Sequence, residues 1–355
     1  MKFSRFMELA LYDPIDGYYA SGRAAVGKGG DFFTNVSIGP VYGEVLAGQI
    51  VEMWELLGRP TDFTLVEQGA NDGRLSKDVF EALPHSLLQN AKLVLIEPLP
   101  VLQKKQAKTL SGLPVSWVQS PCELTPFCGV HFSNELFDAL PVDLLQSLNG
   151  NWHSLLVNGE DGAFFFQPSE QPINAEGLPS RPDEYTTERR VGQRELIRSL
   201  SQKMQRGFLL ATDYGMSESE LHAPHRTQGT LACYSNHRRD ALPLENPGLK
   251  DITAHVDFSA LARDAIAEDL NLCGFTDQHH FLVGAATHLL QSLDSQHPSP
   301  ETIKKLRSLR MLLHPETMGV QFKVMLLSKR TDPDKRPSGF QYAREAASLL
   351  EGIES

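Results

Sequence analysis

The segment Thr64-Leu65-Val66-Glu67-Gln68-Gly69-Ala70-Asn71-Asp72-Gly73-Arg74-Leu75 limits the fold more than any other part of this chain. It reads as a buried strand that runs into a glycine-pinned turn and then a helix. A second apolar run, Leu93-Val94-Leu95-Ile96, ends in Glu97. A parallel α/β sheet that holds an adenosine-containing ligand needs this pair of features. The turn lets backbone approach the ligand, and the acid on the next strand accepts hydrogen bonds from ribose hydroxyls.

The rest of the chain repeats the alternation. Strands are expected over 64–67, 93–97, 115–118, 130–133 and 208–212, with a late strand over 320–328 that closes the sheet. Helices are expected over 39–57, started by Pro40 and ended by Gly58, over 75–83, from strand two through Leu110, and over 256–270 with Leu261, Ala265 and Ile266 inward. This pattern predicts a mostly parallel, doubly wound sheet of the Rossmann-like kind. Between strands four and five lies an excursion: Val142 to Ser147 and Trp152 to Val157 flank Asn149-Gly150, a hairpin turn signal, and Ala163 to Phe166 adds a strand. The expected division is an N-terminal arm and helical cap (1–60), a core (61–140 and 191–330), an inserted β-rich substrate lobe (141–190) and a peripheral tail (331–355). Residues 216–250 read as polar and turn-rich, and Trp54, Trp117 and Trp152 as packing residues.

With 355 residues, 41% hydrophobic, the chain is long enough for this core plus an insertion. Its net charge of −11 makes it a poor partner for nucleic acid or acidic lipid. The cysteines Cys122, Cys128, Cys233 and Cys273 lack the paired spacing of a zinc site, so no metal is expected and they read as reduced thiols. The chain shows no signal-peptide pattern and no apolar run of membrane-spanning length, so the expectation is a soluble, cytoplasmic protein without membrane insertion.

The turn after strand one lacks the G-x-G-x-x-G of dinucleotide binders. Asn71 stands where a pyrophosphate needs glycine, and Asp72 adds a negative charge. A cationic ligand tolerates those acids. Asn71 can take the left-handed backbone such a turn requires. The loop chemistry therefore prefers S-adenosylmethionine to NAD, with Glu67, Gly69, Asn71, Gly73 and Glu97 as candidate cofactor residues. The plain alternative is that the glycines serve only a tight strand–helix turn.

Several blocks, in order over nearly the whole chain, resemble the MidA-like methyltransferases. They include Tyr12-Asp13-Pro14, Gly17-Tyr18-Tyr19, Gly30-Asp31-Phe32-Phe33-Thr34, Val66-Glu67-Gln68-Gly69, Asn134-Glu135-Leu136-Phe137-Asp138-Ala139-Leu140-Pro141, Glu188-Arg189, Asp213-Tyr214-Gly215, Asp251 to Phe258 and Met318 to Val324. The resemblance implies a class I methyltransferase with S-adenosylmethionine as donor. It also implies a protein arginine as acceptor, with a respiratory complex I subunit or its homologue as candidate partner. This chain departs from the family's Gly-Pro-Gly loop at Gly69-Ala70-Asn71, and from its Thr-Ser-Pro-Glu at Thr34-Asn35-Val36-Ser37.

Methyl transfer from a sulfonium is an in-line displacement that needs alignment and exclusion of water. A guanidinium acceptor needs carboxylates to hold its planar fork. Glu135 is the expected main clamp, Asp138 the second acid and Asn134 a positioning group. Glu135 and Asp138 share a face if a helix starts there. The alternative is a helix N-terminus with Asn134 as cap. His255 and Asp257 are second-rank substrate candidates, Asp257 also suiting a helix cap. Asp31 or Thr34 is expected to reach the donor's polar groups. Competing readings are a non-catalytic assembly chaperone, a small-molecule methyltransferase and, weakest, an NAD-dependent oxidoreductase.

Overall fold

The computed structural model describes residues 1–21, 34–235, 238–293, 298–314, 318–332 and 334–353. Strands β1 (Phe63–Gln68), β2 (Ala91–Ile96), β3 (Val115–Val118) and β4 (Phe127–Asn134) form the parallel half of the main sheet. A four-stranded antiparallel lobe follows: β5 (Val142–Leu148), β6 (Asn151–Glu160), β7 (Ala163–Pro168) and β8 (Thr186–Arg190), in the order β7-β6-β5-β8. The chain then returns through β9 (Met204–Met216), parallel to β4. A small sheet is built from β10 (Ala232–Ser235), β11 (Arg238–Asp240) and β12 (Asp251–Thr253). The short β13 (Val256–Asp257) lies along β9, and β14 (Asn271–Asp277) and β15 (Phe322–Lys329) complete the main sheet antiparallel. Its order is β14-β15-β9-β4-β1-β2-β3.

Alternation along each strand feeds two apolar layers. In β1, Leu65 joins the layer under helices Val41–Leu56 and Arg74–Ala82, while Val66 joins the layer under helices Gln193–Lys203 and Phe258–Ala267. Helix Val41–Leu56 begins after Pro40 and stops before Gly58, whose φ of +81° ends it, and it buries Leu46, Ile50 and Met53.

The lobe's hairpin turns at Asn149 (φ +51°) and Gly150 (φ +75°), the two-residue geometry that Asn-Gly favours. Helix Phe3–Tyr12 packs on this lobe, with Phe3 and Met7 against Val142, Leu144 and Val157. The lobe enters and leaves the core at one place, since the Val191 N–H donates to the Pro141 carbonyl at 2.9 Å.

Four expectations change. The helix expected from 256 is Phe258–Ala267. Leu261 and Ala265 are buried, but Ile266 is 45% exposed because it falls on the outer face. The late strand β15 lies inside the sheet rather than at its edge, with β14 outside it. The polar stretch 216–250 contributes β10 and β11. The tail sends Phe340 and Leu350 into the core, and Phe340 packs on Phe281 with ring centroids 5.4 Å apart. Among the described residues no helix is long and apolar enough to cross a membrane.

Candidate active site

A cavity of about 610 Å³ opens at the carboxyl ends of β1, β2, β4 and β9. It brings Thr34, Glu67, Gly69, Asn71, Glu97, Asn134, Glu135, Asp138 and His255 into one wall. Gly73 closes the same loop, Asp257 does not line the cavity, and Asp31 lies outside the described residues.

One half of the cavity is formed by the turn after β1. Gly69, Asn71 and Gly73 all have left-handed backbone, at φ +78°, +46° and +83°. The φ of Gly69 is what favours glycine there; an added Cβ would sit 3.2 Å from Leu136 Cδ1, the tip of a side chain that need shift only slightly. Asp72 turns aside to Arg74, accepting from its Nε at 2.7 Å and its backbone N–H at 3.2 Å. Its charge is thereby answered by Arg74, and Asp72 lines the cavity beside Glu67 and Glu97.

Glu67 is buried and accepts from the Ser76 hydroxyl. Glu97 accepts from the Leu99 N–H at 3.0 Å and from Gln106 Nε2 at 2.9 Å. Burial pushes each carboxyl up to about 7, against the pull of those donors. The Gln106 amide also donates to the Asn71 carbonyl at 2.9 Å and accepts from Trp117 Nε1 at 2.9 Å, so one side chain fixes both acid and turn. Thr34 caps the turn Asn35–Ile38 through a reciprocal pair with Ser37. The neighbouring Asn35 donates to Asn134 Oδ1 at 3.0 Å.

The other half begins at Asn134, which donates to Glu135 Oε1 at 2.8 Å. Glu135 has a left-handed backbone (φ +56°), held by its N–H to the Thr212 carbonyl at 2.9 Å. The segment after it is an irregular turn rather than a helix, which corrects both the shared-face expectation and the helix-cap alternative. Two residues absent from the sequence-based site set hold that turn. Asp213 Oδ2 accepts from the N–H groups of Leu136 (3.1 Å), Phe137 (2.8 Å) and Asp138 (3.3 Å). The Arg190 guanidinium, from β8 of the lobe, donates to the carbonyls of Phe137, Leu140 (2.9 Å), Ala254 (2.7 Å) and His255 (3.0 Å). Asp213 was legible as the residue after the fifth strand and as part of the Asp213-Tyr214-Gly215 block, but not as a site residue, and nothing local in the sequence singles out Arg190.

This half is rich in acid. Burial first, and then the repulsion of neighbouring carboxylates, raises Glu135 and Asp138 well above the ordinary carboxylate range. Asp251 accepts from the Tyr19 hydroxyl at 2.8 Å, and Tyr19 stacks on Tyr12 at 5.5 Å. His255 lies against Tyr214 with ring centroids 6.3 Å apart, and burial holds it neutral at about 4. Asp257 caps helix Phe258–Ala267 by accepting from the Ala260 N–H at 2.9 Å, its locally expected role. The chamber pairs buried carboxyl groups with aromatic walls, a setting that suits a cationic group able to draw those carboxyls into their ionised form.

A doubly wound sheet with a glycine-pinned first turn, an acid ending its second strand and a cavity across both is the architecture of a Rossmann-like methyltransferase. The sequence profile of the family described as "Putative S-adenosyl-L-methionine-dependent methyltransferase" matches residues 45–276, and the chain belongs to that family. It is 29% identical to the protein arginine methyltransferase NDUFAF7 homolog of Drosophila melanogaster over 91% of this chain and 80% of that one. It is also 29% identical to human protein arginine methyltransferase NDUFAF7, over 97% of this chain and 82% of that one. A COG1565 superfamily member from Burkholderia thailandensis, solved with bound S-adenosyl-homocysteine, superposes with a TM-score of 0.85 at 28% identity, covering 98% of this chain and 92% of that one.

The protein is an S-adenosylmethionine-dependent methyltransferase. Its own residues fit that donor: the left-handed turn leaves room beside Gly69, and the nearest acids oppose a diphosphate but not a sulfonium. The expectation of a cytoplasmic protein is corrected, because the curated relatives are named as mitochondrial. Free cysteines do not separate one reducing compartment from another.

Proposed function

We propose that the protein transfers a methyl group to an arginine side chain of a partner protein, with a respiratory complex I subunit as the candidate acceptor. The observation that carries this reading is the convergence of Glu135, Asp138 and Asp251 with Tyr12, Tyr19 and Tyr214 in the cavity wall. The names of the curated relatives support arginine as the target, and the family resemblance supports complex I.

When bound, S-adenosylmethionine supplies an electrophilic methyl on a sulfonium. Gly69, Asn71 and Gly73 shape the turn that would receive it, Glu97 would accept from its ribose hydroxyls, and Glu67 and Thr34 would line its surroundings. Glu135 is the main clamp on the guanidinium and Asp138 the second acid. An arriving cation returns both to the ionised form that burial and mutual repulsion oppose. Their lone pairs fix the planar fork so that one nitrogen faces the methyl. Glu135 would take the proton that the nitrogen loses on methylation, leaving the product guanidinium singly charged. Asn134, held by Asn35, fixes the Glu135 rotamer, and His255 with Tyr214 forms an uncharged wall. Asp257 is left out of the acceptor set, since its carboxylate caps a helix away from the cavity.

Radiolabel transfer from S-adenosylmethionine to lysate proteins tests the reading. Wild type should label an arginine, and Glu135→Gln should lower the rate at least 100-fold with donor affinity within twofold. Equal labelling by the variant removes Glu135 from the chemistry. Label found only in small molecules removes the protein acceptor.

A further inference from the structure

Away from the methyl-transfer cavity, Glu218, His222 and Asp257 place one ligand atom each within 4.8 Å of one another. They are the only such group of three among the described residues. Their convergence is built by the fold. Ser217 and Glu220 form a capping box that starts the turn Glu218–Leu221, and the His222 N–H donates to the Glu218 carbonyl at 2.9 Å, which stacks the two side chains one turn apart. Strand β13 runs along β9 with Asp257 opposite Met216, and this pairing sets Asp257 beside that turn.

We propose that these three residues bind a divalent cation of the zinc class, with solvent completing the coordination. The imidazole of His222 is only 4% exposed, and its Nδ1 lies 3.2 Å from the Thr187 hydroxyl. That contact leaves Nε2 as the ligating nitrogen and orients the ring, as outer partners of metal-bound histidines do. Glu218 gives one oxygen to Arg263 at 2.9 Å, and Asp257 gives Oδ1 to the Ala260 N–H at 2.9 Å. Glu218 keeps Oε1 for a cation, and Asp257, which accepts from the backbone at Ala260 and Ser259, offers its remaining lone pairs. One imidazole with two carboxylates favours zinc or manganese over magnesium and calcium, which prefer oxygen alone.

The site borders two segments that also shape the acceptor wall. Thr187 and Arg190 share β8, Asp257 lies two residues beyond His255, and Arg190 donates to the His255 carbonyl. A bound ion therefore ties the exit of β9 to the same wall that Arg190 ties to the acidic turn.

Isothermal titration of chelator-treated full-length protein with Zn²⁺ and, separately, Mg²⁺ tests the assignment. The expected result is one Zn²⁺ per chain, a raised thermal midpoint and at least tenfold weaker Mg²⁺ binding. His222→Ala and Asp257→Asn should each weaken Zn²⁺ at least tenfold, the asparagine keeping the helix cap so that folding is preserved. His85→Ala, remote on the chain, should leave it unchanged. The proposal is overturned if no stoichiometric Zn²⁺ binding is found, if both site variants bind like wild type, or if Mg²⁺ binds as tightly as Zn²⁺.

Discussion

Gln106 donates to the Glu97 carboxylate at 2.9 Å, and the same nitrogen reaches the Asn71 carbonyl at 2.9 Å. The acid that ends β2 and the turn that follows β1 are thus one unit. Gln106→Leu should leave Glu97 short of a donor and the turn unpinned. The expected cost is about 1.4 kcal/mol, or roughly tenfold in donor Kd, read by calorimetry with S-adenosyl-homocysteine. An unchanged Kd would mean that the turn holds its shape without this amide.

Glu67 gives a stability prediction with a definite sign. Burial raises its carboxyl to about 7 from 4.5, so folding favours the protonated form. That preference is fully present below the unfolded value and is lost as pH rises through about 7. Glu67→Gln keeps an acceptor for Ser76 and removes the charge. Without donor, the variant should exceed wild type by on the order of 2 kcal/mol at pH 8 and match it near pH 4, by calorimetric unfolding. A difference independent of pH would contradict the ionisation argument.

Arg190→Lys should not behave as a conservative change. A lysine ammonium lacks the planar fork that reaches Phe137, Leu140, Ala254 and His255 together. We expect a loss of about 2–3 kcal/mol in stability. The kcat should fall at least tenfold while donor Kd stays within twofold, because the turn carrying Asp138 loosens and the donor half does not depend on Arg190. A variant with wild-type kcat would show that Asp213 alone is sufficient to hold that turn.

Tyr19→Phe separates acceptor from donor. It removes the hydroxyl at 2.8 Å from Asp251 and keeps the stack on Tyr12. The acceptor KM should rise about threefold to tenfold, the range of one lost charge-assisted hydrogen bond, with kcat and donor Kd unchanged. A change in donor Kd instead would move Asp251 to the other half of the cavity.

The donor half was legible because its signals are local. Gly69, Asn71 and Gly73 announce a left-handed turn, and Glu97 ends an apolar run; the structure adds the φ values and the cavity. The acceptor half was legible by residue but not by shape. Asn134, Glu135 and Asp138 look like a helix start, but Pro141 has no N–H to return to the Phe137 carbonyl, and the turn is held instead by Asp213, 75 residues beyond Asp138. Arg190 was invisible for the same reason, since its acceptors are carbonyls from two remote segments. The small sheet of β10, β11 and β12 was missed because its strands are three or four residues long, too short to show alternation.

The hydrogen bond from Val191 to Pro141 has an evolutionary consequence. An excursion whose entry and exit touch closes its own loop, so its length and face can be rewritten without stretching the scaffold beneath. The lobe can thereby change while the turns around the cavity keep their places, provided each version still delivers the Arg190 fork to the turn below.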